Sequence, residues 1–89
     1  MGRYSVTWSR DAENLLAKIW MAAANSNAVA RAQHRIDRLL TADPAGNGRE
    51  ASEGLRRIVV PPLAAFYEID SMTKRVLVTA VGEIREHGG

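Results

Sequence analysis

The stretch Gly54 to Asp70, GLRRIVVPPLAAFYEID, constrains the fold more than any other. Two runs of β-branched and apolar residues meet at Pro61-Pro62. Proline has no amide hydrogen for a sheet ladder, and its φ is fixed at about −65°, so two in succession make a corner between strands. The runs Leu55–Val60 and Leu63–Ile69 therefore predict a hairpin. A hairpin alone is marginal in water, so the rest of the chain must cover one of its faces.

The preceding residues can do this. Arg3 to Trp8 alternates, with Tyr4, Val6 and Trp8 on one side and Arg3, Ser5 and Thr7 on the other, as in a half-buried strand. Ser9 is a helix N-cap candidate, with Asp11 and Glu13 in the first turn where the helix dipole favours acids. From about Arg10 to Asn25, the residues Ala12, Leu15, Leu16, Ile19, Trp20 and Ala23 form one apolar stripe. It marks the side expected to pack on the sheet.

Asn25-Ser26-Asn27 breaks the pattern. A second helix is expected from about Ala28 to Ala42, with Val29, Ala32, Ile36, Leu39 and Leu40 inward, and Asp43-Pro44 ends it. The short connection makes the two helices a hairpin. Ala45 to Glu53 is polar, carries two glycines and is expected to be a loop. Arg75 to Val81 is the last strand, and Gly82 to Gly89 a charged, mobile tail. The expectation is one α+β domain over residues 1–89, with element order β-α-α-β-β-β. An antiparallel sheet of about four strands carries a two-helix hairpin on one face.

The 89 residues contain no cysteine, which excludes disulfides and thiolate chemistry. No run approaches the roughly 18 apolar residues of a membrane span, and the first ten residues lack the apolar core of a signal peptide. A cytoplasmic protein that does not engage membranes is expected. The net charge is +2, and ten of the twelve basic residues are arginine. This permits an anionic partner without requiring one.

Alternation divides the hairpin into two faces. Leu63, Ala65, Tyr67 and Ile69 form the more consistently apolar set and should face the helices. If Ile58 and Val60 pair with that set, the open face carries Leu55, Arg57, Val59, Ala64, Phe66 and Glu68. That set is apolar for a solvated surface and is the expected partner-binding site. A register one residue different would exchange the faces. Of Arg56 and Arg57, one should point outward and the other snorkel at the sheet edge.

Catalytic candidates are few. His34 falls on the exposed side of the second helix and is expected to be inert. His87, beside Arg85 and Glu86, could shuttle protons in RNA cleavage or could be an ordinary tail residue. The glycines of Ala45–Gly48 have no Lys-Ser or Lys-Thr after them and do not make a phosphate loop. No metal-ligand spacing is present, and neither a metal nor another cofactor is expected. Arg31, Arg35 and Arg38 recur at i, i+4 and i+7, either to track phosphates or as a solvated helix face.

The order and spacing of YSVTWSRDAENLLAKIW, RIDRLLTADP, GLRRIVV, FYEID and RVLVTAVGEIRE resemble the RelE/ParE superfamily of type II toxin–antitoxin toxins, over about Tyr4 to Arg85. The resemblance implies the two-layer fold, a hetero-oligomer with a cognate antitoxin that wraps the toxin, and a role in growth inhibition and plasmid stabilisation. It also implies one of two activities. RelE-like members cut ribosome-bound mRNA with basic residues on the open sheet face and an acid–base group near the C-terminus; ParE-like members lack that set and poison DNA gyrase.

In nuclease-type members an arginine commonly follows the hairpin corner, where this chain has Ala64. A second basic residue is common at the position of Val59, and another arginine at the position of Ile84. Arg57 matches the nuclease pattern, and Arg85 and His87 are the available substitutes. With two guanidiniums missing, much of the electrostatic stabilisation of a phosphoryl-transfer site is lost. These departures weigh against RNA cleavage, and the long helical hairpin and the apolar open face favour a ParE-like toxin that acts by binding. A RelE-like endonuclease using Arg57, Arg85 and His87 is the alternative, and an inactive binding or adaptor member of the same fold a third.

Overall fold

The structure, a computed structural model, describes residues 3–84. The elements are β1 (Ser5–Trp8), α1 (Arg10–Ala22), α2 (Ser26–Ala42), β2 (Arg49–Ser52), β3 (Leu55–Val60), β4 (Leu63–Asp70) and β5 (Arg75–Glu83). They form a two-layer α+β fold. The sheet has five strands, ordered β1-β5-β4-β3-β2, with α1 packed on β5 and α2 spanning β3, β4 and β1.

Three features differ from expectation. The sheet is mixed: β1 runs parallel to β5, with Ser5 opposite Arg75 and Trp8 opposite Val78. A parallel pair needs a covering connection, and the two helices that follow β1 supply it. Arg49–Ser52, expected within a loop, is the edge strand β2, paired antiparallel with β3. Its four residues are all exposed, so no apolar alternation marks it. The last strand extends through Glu83, and the Ile84 amide donates to the Pro62 carbonyl at 2.8 Å. Gly82 and Glu83 thus belong to the sheet rather than to a tail.

The helices start as their caps dictate. The Ser9 hydroxyl accepts from the Ala12 amide at 3.1 Å, and the Asn25 side chain accepts from the Ala28 amide at 3.1 Å. Cap bonds of this type stabilise by about 1 kcal/mol each. The core comprises Ala12 from α1, Val29, Ala32, Ile36 and Leu40 from α2, and Ile58, Leu63, Ala65, Tyr67, Val76, Val78 and Val81 from the sheet. Leu15 and Trp20 lie outside it, 38% and 51% exposed. Five residues turn a helix through about 500°, leaving these two about 140° apart. A single packing face does not reach both, and the narrower Ala12, Leu16, Ile19, Ala23 stripe takes the core.

β1 is fastened to α2 at two points. The Trp8 indole donates to the Asp37 carboxylate at 2.7 Å, and the Tyr4 amide donates to the Thr41 carbonyl at 3.0 Å.

Candidate functional site

The Pro61-Pro62 corner, with a cis peptide bond between the two prolines, joins β3 and β4 in the expected register. Ile58 lies opposite Ala65, and Val60 opposite Leu63, on the helix side. Arg57 lies opposite Phe66, and Val59 opposite Ala64, on the open side. Leu55, Arg57, Val59, Ala64, Phe66 and Glu68 therefore share the open face.

Their exposure is unequal. Val59 is 44% exposed, whereas Ala64 is 6% exposed. Ala64 thus lies in the floor of the open face. It sits on the middle strand, between Val59 and Gly82 on its two neighbours, where a methyl group lies below the surrounding side chains. On β5 the open face continues with Leu77, opposite Glu68 and 40% exposed, and with Ala80 opposite Phe66.

Beside Arg57 stands Arg49, from the stretch expected to be a loop. Glu53-Gly54 is a two-residue turn between β2 and β3, with Gly54 at φ 76°. This is a conformation natural to glycine and common in tight hairpins. Ser52 lies opposite Leu55, but Ala51 is bulged out, so Glu50 meets Arg56 and Arg49 meets Arg57. Without the bulge, Glu50 would face Arg57 as an opposite charge. With it, two arginines occupy directly opposite positions on neighbouring strands, and like charges so paired are unfavourable. The row Arg49–Arg57–Phe66–Ala80 crosses four strands. A cleft beside it is lined by Gly46, Asn47, Gly48, Arg49, Arg57 and Val59 among others. The signal that could have found β2 was Glu53-Gly54 immediately before a strong strand.

Arg56 points the other way. Its guanidinium donates to the carbonyls of Ala45 at 2.7 Å and Gly48 at 2.9 Å. The Tyr67 hydroxyl, on the strand opposite, donates to the Pro44 carbonyl at 2.5 Å. Together they hold the loop that leads from α2 into β2, and so set where Arg49 stands. The adjacent arginines thus divide: Arg57 is exposed on the open face, and Arg56 is committed to the fold.

At the far end of β4 the Asp70 carboxylate accepts from the amides of Met72 and Thr73, at 3.1 and 3.2 Å. Hydrogen bonding from the Thr73 amide holds its pKa below the ordinary value of 3.8. The Thr73 hydroxyl, the Met72 amide and the Arg75 charge add to this against some desolvation. The arrangement is that of an ordered turn.

Arg85 and His87 lie outside the described residues. Ile84, standing where an arginine is usual in nuclease-type relatives, is half-buried. His34 is exposed on α2, in the helix layer, as expected. Among the described residues no group of three or more His, Cys, Asp or Glu side chains could hold a metal ion. No helix among them is long and apolar enough to cross a membrane.

A separate apolar groove of about 720 Å³ runs between β1 and α1. Val6, Trp8, Leu16, Ala17, Trp20 and Met21 contribute to its walls, and Met21 is 81% exposed. Trp20, in the apolar stripe expected to pack on the sheet, instead lines this groove and is half exposed.

The mixed five-stranded sheet under a two-helix layer is the fold expected of the RelE/ParE superfamily of type II toxin–antitoxin toxins, and a family match over nearly the whole chain places it in that class. The model of the family described as the ParE toxin of the type II toxin–antitoxin system parDE matches residues 6–87, and the chain belongs to that family. Among solved structures, a chain of the RelBE2 toxin–antitoxin complex from Mycobacterium tuberculosis is similar at 18% identity and a TM-score of 0.81, covering 97% of each chain. A chain of the chromosomal ParDE system of P. aeruginosa matches at 17% identity and 0.70, covering 93% of this chain and 98% of that one. The isolated E. coli RelE toxin matches at 14% identity and 0.65, covering 96% and 88%. At these identities the structural likenesses speak for the fold alone. Comparison with curated proteins gave no match.

Proposed function

We propose that this toxin is ParE-like: it binds and inhibits a cellular target such as DNA gyrase, and a cognate antitoxin neutralises it. The observation that carries this reading is the middle of the open face. Val59, Ala64, Phe66, Ala80 and Gly82 meet there, and none of them can donate or accept a proton in acid–base chemistry or stabilise a phosphorane. Such a face is suited to protein contact. Leu55, Arg57, Val59, Phe66 and Glu68 are assigned to partner binding, with Ala64 as floor. The groove between β1 and α1 is a second apolar surface suited to an antitoxin segment. If gyrase is the target, the purified protein inhibits supercoiling; normal supercoiling at saturating protein would sink this version.

One observation favours a second reading. Arg49 and Arg57 stand opposite each other on the open face, where two cations could hold a scissile phosphate. In a RelE-like, ribosome-dependent mRNA endonuclease, Arg57 and Arg85 would stabilise the phosphoryl charge and His87 would move the proton. Arg57→Ala and His87→Ala should then each slow cleavage of a ribosome-bound message. No cleavage by the parent protein removes this alternative. Unchanged growth on expression without antitoxin would leave an inactive binding member.

A further inference from the structure

A concentration of positive charge lies on neither surface described above. α2 carries Arg31, Arg35 and Arg38 against one acid, Asp37. Its net +2 equals that of the whole 89-residue chain, which leaves nine basic and nine acidic residues elsewhere. Arg3 joins the three from the start of the chain, and the four arginines line one cleft of about 1140 Å³ with His34 and Asp37. All four are exposed. Asp37, whose carboxylate accepts the Trp8 indole at 2.7 Å, is the one acid in that lining and leaves it with three positive charges in excess. The helix beneath is rigid, with Val29, Ala32, Ile36 and Leu40 fixed in the core. Arg31 and Arg38 are therefore held about 10.5 Å apart along a straight axis.

We propose that this α2 cleft binds the phosphate backbone of duplex DNA, without base readout and whatever protein the toxin targets. Guanidinium groups match phosphate oxygens in geometry as well as charge. A duplex presents about one negative charge per 1.7 Å of axis, dense enough to meet four cations along this cleft. Single strands are disfavoured because no Phe, Tyr or Trp lines the cleft, and single-strand binding depends on aromatic platforms for unstacked bases. The site differs from the Arg49–Arg57 pair, which stands on the opposite side of the sheet.

The test is fluorescence anisotropy of a labelled mixed-sequence DNA duplex with the full chain, titrated between 50 and 200 mM salt. Four phosphate contacts give a slope of log K against log salt of about −3.6, or about 150-fold weaker binding over that range. Arg31→Gln/Arg35→Gln/Arg38→Gln should make the slope shallower by about 2.7 with an unchanged circular dichroism spectrum. Arg49→Gln/Arg57→Gln should leave the slope at the parental value. Four outcomes each overturn the proposal: no binding at 50 mM salt, a triple variant with the parental slope, a slope carried by Arg49 and Arg57, or equal binding of a single strand of the same length. Displacement of the duplex by poly-glutamate at equal charge would assign the cleft to an acidic protein instead.

Discussion

Replacing Tyr67 by phenylalanine removes one oxygen atom and leaves the ring in place. That oxygen is the donor to the Pro44 carbonyl, and both residues are fully buried. The variant loses the hydrogen bond and strands a buried acceptor, a combination that costs about 1–3 kcal/mol. Taking about 2 kcal/mol, a domain of this size should melt roughly 8–16 °C lower. The effect should also reach the open face, because the same loop carries Arg56's two acceptors and leads into β2. Hydrogen exchange at the β2 amides should therefore accelerate more than at β5. The measurements are urea unfolding with the slope held common, and amide exchange followed by NMR. A loss below about 0.5 kcal/mol, or exchange unchanged at β2, would refute the view that this bond holds the loop and, through it, Arg49.

Three further outcomes follow from neighbouring geometry. A methyl group added at Gly48 would press on the Tyr67 hydroxyl and come within 2.9 Å of the Arg57 carbonyl. Gly48→Ala should cost about 1–3 kcal/mol in urea unfolding, and less when introduced into Tyr67→Phe, since the two share the same oxygen. Ile36 is wholly buried on α2, and Ile36→Ala should lower stability by about 2–5 kcal/mol through the cavity it leaves. Asp70 has a depressed folded-state pKa, so its contribution is present above the unfolded value and disappears as pH falls through the folded one. Stability of the parent should therefore fall more steeply than that of Asp70→Asn between about pH 5 and about pH 2, by denaturation at each pH. Parallel profiles would contradict the assignment.

Much of the fold could be read along the chain because local signals agreed with one another. Ser9 caps α1, Asp43-Pro44 closes α2, and Pro61-Pro62 turns β3 into β4, each at its expected place. The faces of β3 and β4 were legible because alternation extends over both strands and only one register buries Ile58, Val60, Leu63, Ala65 and Tyr67 together. β2 was not legible: Arg49–Ser52 has no buried side and pairs only because β3 offers it an edge. Trp20 lies off the core because hydropathy gives the width of an apolar stripe but not how much of it a partner covers. The candidate site divides in the same way. Arg57's outward direction followed from alternation, whereas the burial of Ala64 depended on which strands flank it.

The amino-acid sequence alone determined the element order, the hairpin corner, the inward set of the central strands and the net positive charge of α2. Each of these depends on residues close together in the chain. Tertiary structure decided the parallel pairing of β1 with β5, and it decided two bulges that change what the open face carries. At Thr79 the register of β5 against β4 shifts by one residue. Val81 thereby turns to the core, and Ala80 and Gly82 to the open side. At Ala51 the shift in β2 sets Arg49, not Glu50, opposite Arg57. A one-residue change of register reverses every side chain beyond it. Strand composition does not encode that choice, since the packing of the whole sheet determines which register buries the most.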